Sequence, residues 1–117
     1  MKGWTLLREL YHPGADQIYL SAVLNALGDP TRLAIMKKLA CNSETTCAFC
    51  NIDLSKSALS HHFKVLRESG LIHVRIEGKQ RFLSIRYEDL EKRFPGLLKT
   101  ILDNFRPPQH TNKPQSE

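Results

Sequence analysis

A mostly α-helical domain carrying one small β-hairpin is the fold class that this sequence predicts. Three observations point there. Residues 54–70 repeat apolar side chains at helical spacing between Ser55 and Gly70, residues 72–87 switch to a period of two around a glycine turn, and the excess positive charge is concentrated on these adjoining stretches. A helix followed by a basic hairpin is the pattern of a winged helix-turn-helix, here flanked by N- and C-terminal helices suited to dimerisation.

From the N-terminus, residues 4–11 (WTLLRELY) form a short amphipathic stretch that His12-Pro13-Gly14 ends. Asp16 opens a helix through Leu27, with Leu20, Val23, Leu24 and Leu27 along one stripe, and Gly28 closes it. Asp29-Pro30 restarts the chain at once, because Asp29 is a good N-cap and Pro30 at the first helical position forfeits no hydrogen bond. This helix runs to Ala40 and buries Leu33, Met36 and Leu39 or their neighbours, leaving Arg32 outside for a phosphate or an ion pair. In the segment 41–53 (CNSETTCAFCNID), residues 42–46 read as a turn. That leaves room for a short helix around 47–52 as the first helix of the helix-turn-helix.

The next helix is the expected reading element. Ser55 caps its first turn, and Gly70 supplies the left-handed residue often found just past a helix end. Leu59, His62, Phe63 and Leu66 fall on one side, Ser57, Ser60, His61 and Lys64 on the other. An apolar face backed by small hydrogen-bonding residues and a lysine lets a helix pack on a core and still reach base edges in a major groove. By this count His62 is a hydrogen-bonded core histidine. In the hairpin, Ile72, Val74 and Ile76 alternate with His73, Arg75 and Glu77. Residues 77–80 turn around Gly78, and residues 81–87 return with Leu83, Ile85 and Tyr87 on one face. The tip residues Lys79 and Arg81 are placed to lie along the DNA backbone or dip into the minor groove.

Beyond the hairpin, residues 87–94 are predicted helical and Pro95-Gly96 interrupts them. Leu97, Leu98, Ile101, Leu102 and Phe105 then form an apolar stripe wider than one small core needs. With the first helices it is the expected homodimer seam, since a two-fold dimer presents two recognition helices to half-sites about 34 Å apart. The alternative is that this helix closes the protomer's own core. Residues 106–117 are Pro-rich and polar, the composition of a disordered tail, which leaves residues 1–105 as one DNA-binding and dimerisation domain.

With 41% hydrophobic and 25% charged residues, the 117-residue chain fits one soluble globular domain. No apolar run approaches the ~20 residues of a membrane span and no signal-peptide core follows the first residues, so the expected location is cytoplasmic. Residues 55–86 hold seven Lys/Arg against two Glu, the whole of the net charge of +5. Such a footprint fits a polyanion, here double-stranded DNA, rather than a protein-interaction module. An enzyme is not expected. Adjacent helical residues such as His61 and His62 point about 100° apart, so Ser60, His61 and His62 do not compose a nucleophile and base.

Three stretches, ALGDPTRLAIMKKLA (26–40), SKSALSHHFKVLRESGLI (55–72) and EGKQRFLSI (77–85), resemble the ArsR/SmtB family of bacterial winged-helix repressors. The resemblance implies a homodimeric repressor that binds a palindromic operator and leaves it when a metal ion or other chemical signal arrives. Carried over by position, Lys56, Ser57, Ser60 and His61 lie at the DNA-reading end of the recognition helix, with Lys79 and Arg81 in the wing. Two departures stand out. Members sensing soft metals ahead of the recognition helix carry a compact Cys-Val-Cys type box, where this chain has Cys47-Ala48-Phe49-Cys50. Members sensing zinc through the last helix carry an acidic and histidine cluster, where this chain has Glu88, Asp89, Glu91 and Asp103 but no histidine.

Cys41, Cys47 and Cys50 fall within ten residues, and an odd number argues against a structural disulfide framework. Three readings stand. The thiols are small buried hydrophobes. Alternatively they form a thiolate set for a soft ion such as As(III) or, with a fourth ligand, Zn(II), the one candidate cofactor of the chain. Or they are a redox pair whose oxidation distorts the helix supporting the recognition helix. A regulator without a cysteine sensor, constitutive or answering an organic ligand, remains the alternative.

Overall fold

The structure, a computed structural model, describes residues 10–41, 45–46 and 54–106. Among these residues lie five α-helices and a three-stranded sheet. A 3-10 turn at Ala15–Gln17 precedes helix α1 (Leu20–Leu27). The helix expected from Asp16 thus starts later: Ile18 and Tyr19 are extended, and Ile18 is drawn fully into the core. Of the expected stripe, Val23 and Leu27 are buried together with Ala26, whereas Leu20 and Leu24 are each 46% exposed. The small Ala26 allows close packing on that side, and the leucine pair is turned out.

Helix α2 (Pro30–Ala40) begins as its sequence dictates, with Pro30 in first position and the Asp29 carboxylate accepting the Arg32 backbone N–H at 3.1 Å. It buries Ile35, Met36 and Leu39, while Leu33 is half-buried. Helix α3 (Lys56–Glu68) is capped by Ser55, whose Oγ accepts the Ala58 N–H at 3.2 Å. Its packed side carries buried Phe63 and Leu66 with half-buried Leu59 and His62.

The end of α3 fixes the relation of helix to wing. Gly70 sits at φ 93°, the Leu71 N–H donates to the Leu66 carbonyl at 3.0 Å, and the Gly70 N–H donates to the Arg67 carbonyl at 3.1 Å. This is the Schellman pattern, and its accompanying apolar contact is present in the wholly buried Leu66 and Leu71. From there β2 (Ile72–Glu77) and β3 (Gln80–Ile85) form the hairpin, in register from Ile72 opposite Ile85 to Glu77 opposite Gln80. Gly78, at φ 62°, serves the two-residue turn. Inward-facing Ile72, Val74, Leu83 and Ile85 are buried, but Ile76 near the tip is exposed.

Two sequence expectations are corrected in the sheet. Thr45–Thr46, read as part of a turn, is strand β1, paired antiparallel with Leu83 and Phe82 so that the order is β1-β3-β2. The second hairpin strand ends at Ile85 rather than Tyr87. The Arg86 N–H is taken by the Leu71 carbonyl at 3.0 Å and its guanidinium by Asp89 at 2.9 Å, which turns the chain into α4 (Tyr87–Arg93) and leaves Tyr87 49% exposed.

After Gly96, at φ 80°, comes α5 (Leu97–Asn104). Here the predicted dimer stripe divides. Leu98 and Leu102 are buried in the protomer's own core, while Leu97, Ile101 and Phe105 are half-buried. The Lys37 ammonium donates to the Leu102 carbonyl at 2.8 Å and ties α2 to the end of α5. Residues 47–52 of the expected short helix and residues 107–117 of the expected tail lie outside the described residues. Among the described residues no helix is long and apolar enough to cross a membrane.

At Gly70 a Cβ would meet the Ile18 side chain at 2.6 Å, in a left-handed conformation as well. Gly70→Ala is therefore expected to lower stability by about 2–4 kcal/mol, combining backbone strain with overpacking. Chemical denaturation of the purified variant measures this, and an unaltered midpoint would show that Ile18 yields without cost.

Candidate nucleic-acid interface

The outward face of α3 carries Lys56, Ser57, Ser60, His61 and Lys64, all exposed. Because the helix packs through Phe63 and Leu66, the helical repeat leaves these short polar and basic side chains pointing away from the core. Beside them stands the wing tip. Lys56, Leu59, Ser60 and Phe63 of α3 face Lys79, Gln80 and Arg81 of the hairpin across a groove of about 540 Å³. The structure thus brings Lys56 and Ser60 of α3 together with Lys79 and Arg81 of the wing tip, at least nineteen residues further along the chain. Ser57, His61 and Lys64 lie on the exposed helix face outside the groove lining. Gln80, the one groove residue with a long polar side chain that the sequence reading did not single out, begins β3 opposite Glu77. Its position inside the basic tip was the available signal.

Not all of the positive charge in this region faces outward. Arg67 and Arg86 have side chains only 12% exposed. Arg67 donates through Nε to the Tyr11 carbonyl at 3.0 Å, and Arg86 pairs with Asp89. Arg75 lies 4.5 Å from the Phe82 ring centre and pairs with Glu77 at 3.0 Å. Lys56, Lys64, Lys79 and Arg81 are the exposed cations that stand in no ion pair among the described residues.

Arg32, expected to point outward, is instead a strut. Its Nε donates to the Ala26 carbonyl at 2.7 Å and its Nη1 donates to His62 Nδ1 at 3.2 Å. One guanidinium therefore links the end of α1, the start of α2 and the middle of α3. His62 occupies the packed side and is hydrogen-bonded, as the helical count expects. Burial pushes its pKa below the ordinary imidazole value; Asp29 opposes this, and Arg32 and His61 add to it.

Comparison with known proteins follows the same elements. The model of the bacterial regulatory protein, arsR family, matches residues 29–74, from the cap of α2 into β2. An uncharacterized HTH-type transcriptional regulator of Bacillus subtilis (strain 168) is 36% identical over 91 residues, spanning 74% of this chain and 88% of the relative. An arsenical resistance operon repressor of Staphylococcus xylosus is 33% identical over 73 residues, 62% of this chain and 70% of the relative. The chain belongs to the ArsR family. The crystal structure of an ArsR family transcriptional regulator matches it with a TM-score of 0.59 and 26% identity, covering 74% of this chain and 98% of that one. As an ArsR-family protein it is a transcriptional regulator with a DNA-binding winged helix-turn-helix, and its relatives are regulators rather than enzymes.

Of the cysteines in this ArsR chain, Cys41 is exposed at the C-cap of α2, while Cys47 and Cys50 lie outside the described residues. Among the described residues no group of three or more His, Cys, Asp and Glu side chains could hold a metal ion.

His62 gives the fold a defined pH dependence. With the folded value below the ordinary 6.5, the unfolded chain takes up the proton first. The contribution of neutral His62 is complete above 6.5 and is lost as pH falls through the folded value. The thermal midpoint is expected to drop on acidification through that window, and less steeply in His62→Asn. Equal slopes for both proteins would assign the acid sensitivity to other groups.

Proposed function

We propose that this ArsR-family regulator is a homodimeric repressor on a palindromic double-stranded DNA operator, with α3 in the major groove and the wing against the flanking backbone or minor groove. The observation that carries this reading is the groove in which Lys56 and Ser60 meet Lys79 and Arg81. Ser57, Ser60 and His61 offer short donors and acceptors to base edges. Lys56, Lys64, Lys79 and Arg81 supply the phosphate contacts that fix register. Exposed Tyr19, Leu20 and Leu24 on and just before α1, with half-buried Leu97, Ile101 and Phe105 on α5, provide the apolar surface for a second copy. Leu98 and Leu102 support that seam from within the protomer's core.

The test is fluorescence anisotropy on DNA from upstream of the protein's own gene, with random-sequence duplex as competitor. Ser57→Ala with His61→Ala is expected to lose discrimination by about 1–3 kcal/mol per base contact removed. Undiminished discrimination would take α3 out of the groove. Lys79→Ala with Arg81→Ala should weaken binding to both DNAs alike and reduce the salt slope by about 2.

Release is read as thiol-dependent, through Cys41, Cys47 and Cys50. The supporting observation is β1: Thr45–Thr46 stands between Cys41 and Cys47 in the chain and pairs with β3 of the wing. Drawing those thiols together, by a disulfide or by a soft ion, pulls on a strand bonded to the DNA-contacting hairpin. That relatives in Staphylococcus xylosus and Staphylococcus aureus are arsenical resistance operon repressors favours arsenite as the first signal to try. Operator binding by the reduced protein is expected to fall on mild oxidation or on addition of arsenite or zinc. Binding indifferent to all three treatments would demote the cysteines to packing residues.

A further inference from the structure

We propose that His12 is a proton-operated latch: neutral, it holds residues 10–12 on wing strand β2, and protonation of its Nε2 releases them. Both ring nitrogens are already committed. Nδ1 lies 3.0 Å from the Leu10 carbonyl, which only accepts, so Nδ1 carries the ring proton. Nε2 lies 3.0 Å from the Val74 nitrogen, whose N–H donates to it, so Nε2 is the bare acceptor. β2 is an edge strand, and His12 occupies the edge position that a further strand would take.

A second proton on the ring turns Nε2 from acceptor to donor and sets it against the Val74 N–H. The surroundings reinforce the conflict. The His73 ring of β2 is stacked on His12 at 4.4 Å between centroids. Arg67 of α3 bonds the adjacent Tyr11 carbonyl, and Arg86, between β3 and α4, lines the same cleft as His12. Glu88 and Asp89 of α4 border the same cleft, but Asp89 is taken by Arg86. Burial and the His73 ring push the pKa of His12 below its ordinary value; the Leu10 carbonyl pulls the other way, and Arg67 and Arg86 add to the depression. Among the described residues the same segment is also held by Arg67 Nε, which donates to the Tyr11 carbonyl at 3.0 Å. Loss of the His12 bond frees the edge of the strand that leads to Lys79 and Arg81. Its effect on operator binding rests on the wing reading above.

The experiment is a pH titration of the nitrogen-15-labelled full chain by NMR, between about pH 7.5 and 5. Expected is a scalar coupling between the Val74 nitrogen and His12 Nε2 across the hydrogen bond, present while the ring is neutral and lost in step with its protonation. His73→Asn should move that midpoint upward. A coupling that never forms, or one that persists after the ring is charged, overturns the latch. Anisotropy on the upstream duplex then tests the consequence. Affinity of the wild type should fall about fivefold further on acidification than that of His12→Gln, whose side chain does not titrate and which is otherwise the same chain. Parallel falls in the two proteins overturn the coupling of latch to wing. Absence of DNA binding at every pH overturns the DNA reading, while the NMR result still decides the latch.

Discussion

The placing of α3 against the wing depends on one tight turn. Between the last residue of α3 and the first of β2 the chain has three residues in which to end a helix and begin a strand. It does so through a left-handed Gly70 against whose bare Cα the Ile18 side chain is pressed. Leu66 and Leu71 close the turn from inside, each burial contributing roughly 1.5–3 kcal/mol. Ile18 belongs to the segment before α1, and its carbonyl accepts a bond from Arg93. A residue before α1 thus packs against the turn that joins α3 to the wing.

Arginine and lysine divide the work. Arg32, Arg67, Arg86 and Arg93 turn their forked guanidiniums to backbone carbonyls, to His62 and to Asp89, joining elements far apart in the chain. A planar donor fork can make several such bonds at once, which a point charge on a flexible stem does less well. Three lysines and Arg81 stay outside on α3 and the wing. The net charge of +5 therefore describes the phosphate-binding potential only loosely, since some cations counted in it are structural. The buried Arg86 Nη1 has no hydrogen-bond partner among the described residues, while Nε and Nη2 of the same guanidinium both donate to Asp89 at the start of α4.

What was legible in the sequence was local. Asp29-Pro30, Ser55 and Gly70 each mark an end whose chemistry is complete within four residues, and they stand where expected. The period of two in the hairpin and the outward face of α3 were equally plain. The exposure of Leu20 and Leu24, the strut made by Arg32 and the strand at Thr45–Thr46 were not. The last two are decided by partners distant in sequence, His62 thirty residues on and β3 nearly forty residues on, and the first by which face of one helix, that of Val23, Ala26 and Leu27, packs on the core. A two-residue strand has no periodicity of its own, so its existence is a property of the edge that receives it. The exposure of Lys56, Ser57, Ser60, His61 and Lys64 was legible because polar residues opposite the packed face of a helix need no distant partner to be placed.

The sheet order explains how a signal can reach the DNA side. With β3 central, the wing has two edges and both are held from outside the hairpin. Thr45–Thr46, within the cysteine segment, is bonded along β3, and His12, at the start of the described chain, is bonded to Val74 on β2. A hairpin alone is marginally stable in water, so what pairs with its edges governs how firmly Lys79 and Arg81 are presented. The two edge contacts involve different chemistry, the backbone pairing of two threonines on one side and an imidazole on the other, and they act on the same sheet. On the proposed reading, regulation requires no change within the recognition helix itself, because loosening either edge of the wing alters how Lys79 and Arg81 stand beside α3.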